Sequence, residues 1–281
     1  MRGFLKKMSL LLCTCVFLME SAHVCLADNL MVVEAFFSKK EEYSGFIDVP
    51  GKGRMRYYAQ NDPLWGALCY ERESTQQRRP FRDSGCSPSA MAMAVAALVE
   101  EDHLSDIAAY ARREYSLCPC SLNRERCNKN HMRYYLTSQR DYVRFLPLVI
   151  GDFATGNNSF GVYSRGEAVG TSVNYLRYVA EAYGLRFSST AQLSEALEAI
   201  KNGCAVVALA SKGGAFTNTG HYVFLAHADE TYLYVLDPMC RETYKTNYAS
   251  KLDILEPGLV ALSMANISAA RFGTFYIFQR P

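Results

Sequence analysis

Apolar positions recur at helical spacing through the first two thirds of the chain and gather into short continuous or alternating runs in the last third. The first clear helix signal opens at Pro88, because a proline in the first turn lacks only an N–H that has no partner there, and Met91 to Val99 supply an apolar stretch to bury. Cys86 therefore falls at a helix N-terminus. A second helix is predicted from Ser105 to Tyr115, with Ile107, Ala108 and Ala111 on one side. A third runs from Ser172 to Tyr183, ended by Gly184, with Val173, Leu176, Val179 and Ala180 on its inner face. A fourth spans Ala191 to Asn202, capped by Thr190 and closed by Gly203. Strands follow. Cys204 to Ala210 is a continuous apolar run, His221 to His227 and Tyr232 to Leu236 flank a four-residue turn as a hairpin, and Arg271 to Arg280 is an aromatic-rich last strand. Helices followed by a mostly antiparallel sheet define an α+β architecture.

The N-terminus changes the compartment. Arg2, Lys6 and Lys7 precede an apolar run, Ser9 to Met19, which gives way to small residues ending at Ala27. That order is a signal peptide over residues 1–27, cleaved near Ala27. The run is shorter than the about 20 apolar residues a membrane span needs, so stable membrane insertion is not expected. Residues 28–55 carry apolar clusters and a Pro50-Gly51 turn without a clear period and read as an arm on a domain over residues 56–281. Without the first 27 residues the chain holds 27 Lys plus Arg and 27 Asp plus Glu, and no basic stripe marks it for nucleic acid. A chain exported in this way would work outside the cytoplasm, secreted, at the cell surface or in a periplasm. The sequence sets no oligomeric state.

Ten cysteines become seven once Cys13, Cys15 and Cys25 leave with the signal. An odd number in an exported chain is compatible with one thiol kept free and six available for disulfides. A thiol is a useful nucleophile only as thiolate, and a helix N-terminus or an imidazolium favours that form. Cys86 has the first by position, although a buried structural cysteine fits the same local pattern. Gly85 before it would let a substrate backbone approach. His103 lies among charged residues, His131 follows a cysteine cluster and His227 ends a strand. His221 opens a strand at an exposed rim and is the best base. Asp237 ends the neighbouring hairpin strand, where Pro238 stops the ladder and frees the carboxylate to orient the imidazole.

Four ordered blocks make the pattern specific: Tyr58-Ala59-Gln60-Asn61-Asp62-Pro63-Leu64-Trp65, Ser84-Gly85-Cys86-Ser87-Pro88-Ser89-Ala90-Met91-Ala92-Met93, Gly220-His221-Tyr222-Val223-Phe224-Leu225 and Tyr234-Val235-Leu236-Asp237-Pro238. They resemble the bacterial cysteine-peptidase family thirty-nine-like domain, a relative of the double-glycine bacteriocin-processing peptidases in the papain-like clan. The resemblance runs from about Arg56 to Pro238. It implies a papain-like fold, a cysteine peptidase or hydrolase acting on a peptide or protein substrate and needing no cofactor, Cys86 as nucleophile, His221 as base, Asp237 as orienting acid and Gln60 as an oxyanion donor beside the Cys86 N–H. Ser87 and Ser89 stand where the family usually has Gly and Thr; the first narrows the space above the nucleophile and bears on substrate size. Amide transfer through the same thioester, and a catalytically inactive binding domain on the same fold, are the competing functions. Cys118, Cys120, Cys127 and His131 could hold zinc through three thiolates and an imidazole, but in an oxidising compartment disulfides are the expected outcome, with Cys118 and Cys120 too close to pair with each other and needing partners such as Cys127, Cys69, Cys204 or Cys240. Residues 151–170, rich in Gly, Asn and Ser, read as a loop inserted in the domain.

Overall fold

The computed structural model describes residues 43–67, 80–104, 143–155, 163–164, 167–168 and 171–281. The predicted helix at 105–115, the Cys118-Cys120-Cys127-His131 cluster and the signal segment lie outside these residues.

Seven antiparallel strands form the central sheet. With β1 (Gly45–Val49), β2 (Gly53–Tyr57), β3 (Tyr163–Ser164) and β4 (Glu167–Ala168) set aside as two small hairpins, its members are β5 (Arg186–Thr190), β6 (Ala205–Ala210), β7 (His221–Ala228), β8 (Tyr232–Leu236), β9 (Leu252–Glu256), β10 (Leu259–Ser263) and β11 (Phe272–Gln279). Their spatial order is β5-β11-β6-β7-β8-β10-β9. The central strands β6, β7 and β8 are buried along nearly their whole length, which is why they read as continuous apolar runs more than as alternating ones.

Helices cover both faces of this centre. The helix α2 (Cys86–Leu98), preceded by the short turn of helix α1 (Phe81–Ser84), packs on β6 and β7. It is buried almost all round, from Ser87 to Val95, and α3 (Leu146–Thr155) and α4 (Val173–Ala182) pack beside it. On the opposite face α5 (Leu193–Lys201) sends Ala196 and Ile200 into a core with Val206, Ala208, Val223, Leu225, Leu233 and Val235. The α+β papain-like architecture expected from the sequence is the one observed. The chain also enters α4 as predicted, with the Ser172 hydroxyl accepting from the Tyr175 N–H at 3.4 Å.

Differences are local. The arm contributes a regular hairpin, β1 with β2, whose strand partners run from Gly45↔Tyr57 to Val49↔Gly53. The stretch read as a loop from residue 151 begins inside α3, because the Leu146-Pro147-Leu148-Val149-Ile150 run is fully apolar and its described side chains are buried. The strand β5 and the hairpin β9–β10 had no expectation attached. Among the described residues no helix is long and apolar enough to cross a membrane.

Candidate active site

Three elements converge on one thiol. Cys86 is the first residue of α2, partly exposed and free. As the first helical residue its N–H has no carbonyl partner within the helix. Gly85 is required there by packing: a Cβ at this position would lie 2.4–2.5 Å from the Phe81 ring and carbonyl. Packing against the chain's own α1 thus accounts for a glycine here whatever a substrate does.

His221 opens β7 and is 7% exposed. The register pairs Phe224 with Leu236, so Asp237 lies one step beyond the ladder on β8, diagonal to His221 and on the same face. Its Oδ1 meets His221 Nε2 at 2.5 Å. The imidazole also stands near enough to the Cys86 thiol for each to shift the other's pKa. Since Nε2 faces Asp237, the nitrogen turned to the thiol is Nδ1.

The electrostatics follow from these contacts. Burial opposes ionisation of the Cys86 thiol, but His221, with the Tyr222 and Ser87 backbone N–H groups, holds its pKa below the ordinary value. Burial likewise disfavours the imidazolium. It is outweighed by Asp237 and then Cys86, which push His221 up to about 9. Asp237 is fully buried, yet His221, Arg241 and Tyr244 hold it well below the usual carboxylate range. The three groups thus favour a thiolate, an imidazolium and a carboxylate together. Burial instead raises the two other free thiols described, Cys204 and Cys240, the latter to about 11. Cys86 alone among them is activated.

Gln60 is 2% exposed in the loop after β2. Its Nε2 donates to the Arg82 carbonyl at 2.6 Å, four residues before Cys86, and its Oε1 meets no donor among the described residues. The rest of its block builds this loop. Asp62 is fully buried and accepts from the Tyr43, Ser44 and Leu64 N–H groups. Trp65 donates to the Ala59 carbonyl and meets Phe145 edge-on. Asn61 exchanges two hydrogen bonds with the Cys240 backbone, at 2.8 and 2.9 Å, and the Gln60 N–H bonds the Pro238 carbonyl. The Gln60 loop and the loop after Asp237 are therefore one docked unit.

Several members of the site carried no sequence signal. Asp237 Oδ1 also accepts from the Met239 N–H at 2.8 Å; Oδ2 accepts from Arg241 Nη2 at 2.8 Å and the Tyr244 hydroxyl at 2.6 Å. The Tyr57 hydroxyl donates to the Asp237 carbonyl at 2.7 Å, and the missing side chain at Gly258 leaves room for that ring. Of the remaining histidines described, His103 is exposed and His227 stacks on Tyr234, away from the thiol. No cluster among the described residues has the make-up of a metal site.

The profile of the Peptidase_C39-like family matches residues 54–256, and the chain belongs to that family. The papain-like cysteine-peptidase fold and a peptidase-type enzyme follow from that membership. Two solved structures are similar to it. One is the peptidase domain of Streptococcus ComA, a bifunctional ABC transporter involved in a quorum-sensing pathway: 14% identity, 46% of this chain and 88% of that one, TM-score 0.29. The other is a double-glycine-motif protease from an AMS/PCAT transporter in complex with the leader peptide: 16% identity, 47% of this chain and 83% of that one, TM-score 0.27. No curated protein matches the chain.

Proposed function

We propose that this protein is an exported cysteine peptidase that cleaves a peptide bond through a Cys86 thioester. The observation that carries the proposal is the buried hydrogen bond from His221 to the Asp237 carboxylate beside a free thiol at a helix start, whose pKa that imidazole lowers. The thiolate attacks the scissile carbonyl carbon, a C–S bond forms, and the carbonyl electron pair moves onto oxygen. The Cys86 N–H and the second Nε2 hydrogen of Gln60 stabilise that oxyanion. As it collapses, the C–N bond breaks and the imidazolium gives its Nδ1 proton to the departing amine. His221, now neutral, takes a proton from water, hydroxide adds to the thioester, and collapse expels the thiolate and releases the acid product. Asp237 holds the ring so that Nδ1 does this work throughout. Cleavage of residues 1–27 on export completes the proposal, and N-terminal sequencing of the processed protein checks it.

The test is a peptide-library digest with the protein lacking residues 1–27. New termini are expected with the native chain and none with Cys86→Ala. Equal cleavage by both would overturn the assignment.

A further inference from the structure

Asp237 has more partners than an orienting carboxylate needs. One oxygen serves His221 and the Met239 N–H; the other is taken by Tyr244 and by the Arg241 guanidinium. Arg241 is itself fixed, donating to the Phe216 carbonyl at 2.8 Å and lying 4.0 Å from the Tyr244 ring centroid. We propose that Arg241 is a positioning residue that keeps Asp237 a carboxylate in both charge states of His221, and so sets how readily the imidazole gives up and regains its proton.

This rests on the peptidase reading, in which His221 cycles between charged and neutral. Once the imidazolium has protonated the leaving amine, a fully buried carboxylate faces an uncharged ring. A buried charge without a counter-ion is costly and draws a proton back. A guanidinium does not lose its proton, so the pair Arg241–Asp237 remains neutral overall while the imidazole changes state. The same cation opposes the imidazolium, which makes His221 a better acid than a carboxylate alone would leave it. The groups facing this pair are Cys86 from α2, Tyr222 beside His221 on β7, Tyr57 from β2, and Cys240, Arg241 and Tyr244 from the loop after β8, with Asp62 and Glu242 acting on Cys240. Among these Arg241 is the one permanent cation. Its loop does not depend on it for placement: Asn61 pairs with the Cys240 backbone, Gln60 N–H with the Pro238 carbonyl, and the Thr246 hydroxyl with the Ala215 carbonyl.

The experiment is the pH dependence of Cys86 alkylation by iodoacetate, which needs no peptide substrate. The anionic reagent reacts fastest while thiolate and imidazolium coexist, so the alkaline fall in rate reports loss of the His221 proton, near about 9 in the native chain. Charges about 6 Å apart in a partly screened site, with Arg241 29% exposed, shift such a titration by about one pH unit. Arg241→Met is expected to move the alkaline limb up by that amount, and Arg241→Lys to keep it near the native position. Tyr244→Phe removes a neutral hydrogen bond to the same oxygen and no charge; it is expected to lower the thermal midpoint and to move the limb clearly less far than Arg241→Met, which separates charge from packing. A limb unmoved or lowered in Arg241→Met, or moved equally by Tyr244→Phe, overturns the proposal. Failure of the peptidase reading looks different: no peptide is cleaved while these limbs still shift.

Discussion

Replacing Asp237 by Asn changes one oxygen into an NH₂ group without changing shape, and the structure dictates which oxygen is lost. At Oδ2 the nitrogen would face the Arg241 guanidinium, a charged group that can only donate, whereas at Oδ1 its one obligate donor neighbour is the neutral Met239 N–H and the imidazole can switch to accepting. The nitrogen therefore turns to His221, whose Nε2 must become the acceptor. That forces the imidazole proton onto Nδ1, where it faces the thiol, and the base can no longer take the thiol's proton. Wrong-tautomer variants of hydrolase triads lose about 10⁴-fold in turnover, and a loss of about 10³–10⁴ is expected here. Stability falls too, because the guanidinium loses its carboxylate. A broken buried pair costs roughly 3–5 kcal/mol, reduced to about 2–3 because Arg241 is 29% exposed. In a domain of this size that is a fall of roughly 4–12 °C in thermal midpoint. Since the folded carboxyl lies below its unfolded value, its contribution is complete above about pH 4 and is lost as pH falls further, so the gap between native and variant closes in acid. Calorimetry across pH and alkylation rates near neutrality read both effects. A variant that alkylates within threefold of native and melts at the same temperature would refute this reasoning, the threefold limit being about 0.6 kcal/mol.

Three further outcomes follow from the same geometry. Gly258 has φ +94°, and a Cβ there would lie 2.4 Å from the Tyr57 ring; Gly258→Ala is expected to destabilise the fold by about 2–4 kcal/mol by chemical denaturation and to lower turnover as Tyr57 leaves the Asp237 carbonyl. Gln60→Ala is expected to cut kcat by about 10²–10³ while leaving Cys86 alkylation close to native, because in the proposed mechanism the amide serves the oxyanion and not the thiolate. His221 is raised from 6.5 to about 9 on folding; its contribution to stability is full below about pH 6.5 and fades as pH rises through about 9, a decline that His221→Ala abolishes in denaturant midpoints.

The proposed nucleophile, base and acid were legible because each sits where chain geometry is simple. Cys86 precedes a proline-started helix, His221 opens a strand, and Asp237 ends its neighbour before a proline that stops the ladder. The strands β6, β7 and β8 were found from apolar runs, and α4 and α5 from helical spacing closed by Gly184 and Gly203. Arg241 and Tyr244 were not found, since they lie four and seven residues past Asp237 in an irregular loop without period or motif. Tyr57 acts across 180 residues of sequence through a hydroxyl, and nothing local marks it. β5 is a mostly exposed edge strand, so its polar sequence offers no alternation. The Pro257-Gly258 pair between two apolar runs was a usable hairpin signal for β9 and β10 that the motif pattern overshadowed. Gly85 was given a substrate-facing purpose because proximity in sequence to Cys86 suggested one, whereas the tight contact with Phe81 exists only in three dimensions.

The most direct measurement is the rate at which a neutral thiol-directed alkylator modifies Cys86 near about pH 6, in the native chain and in His221→Ala. An ordinary thiol is less than about 1% ionised there. A thiolate held by His221 and two backbone N–H groups is expected to react at least about tenfold faster than free cysteine, and His221→Ala to remove that advantage. Alkylation of native Cys86 no faster than free cysteine, or equal rates with and without His221, would contradict the thiolate–imidazolium site on which the proposed function stands.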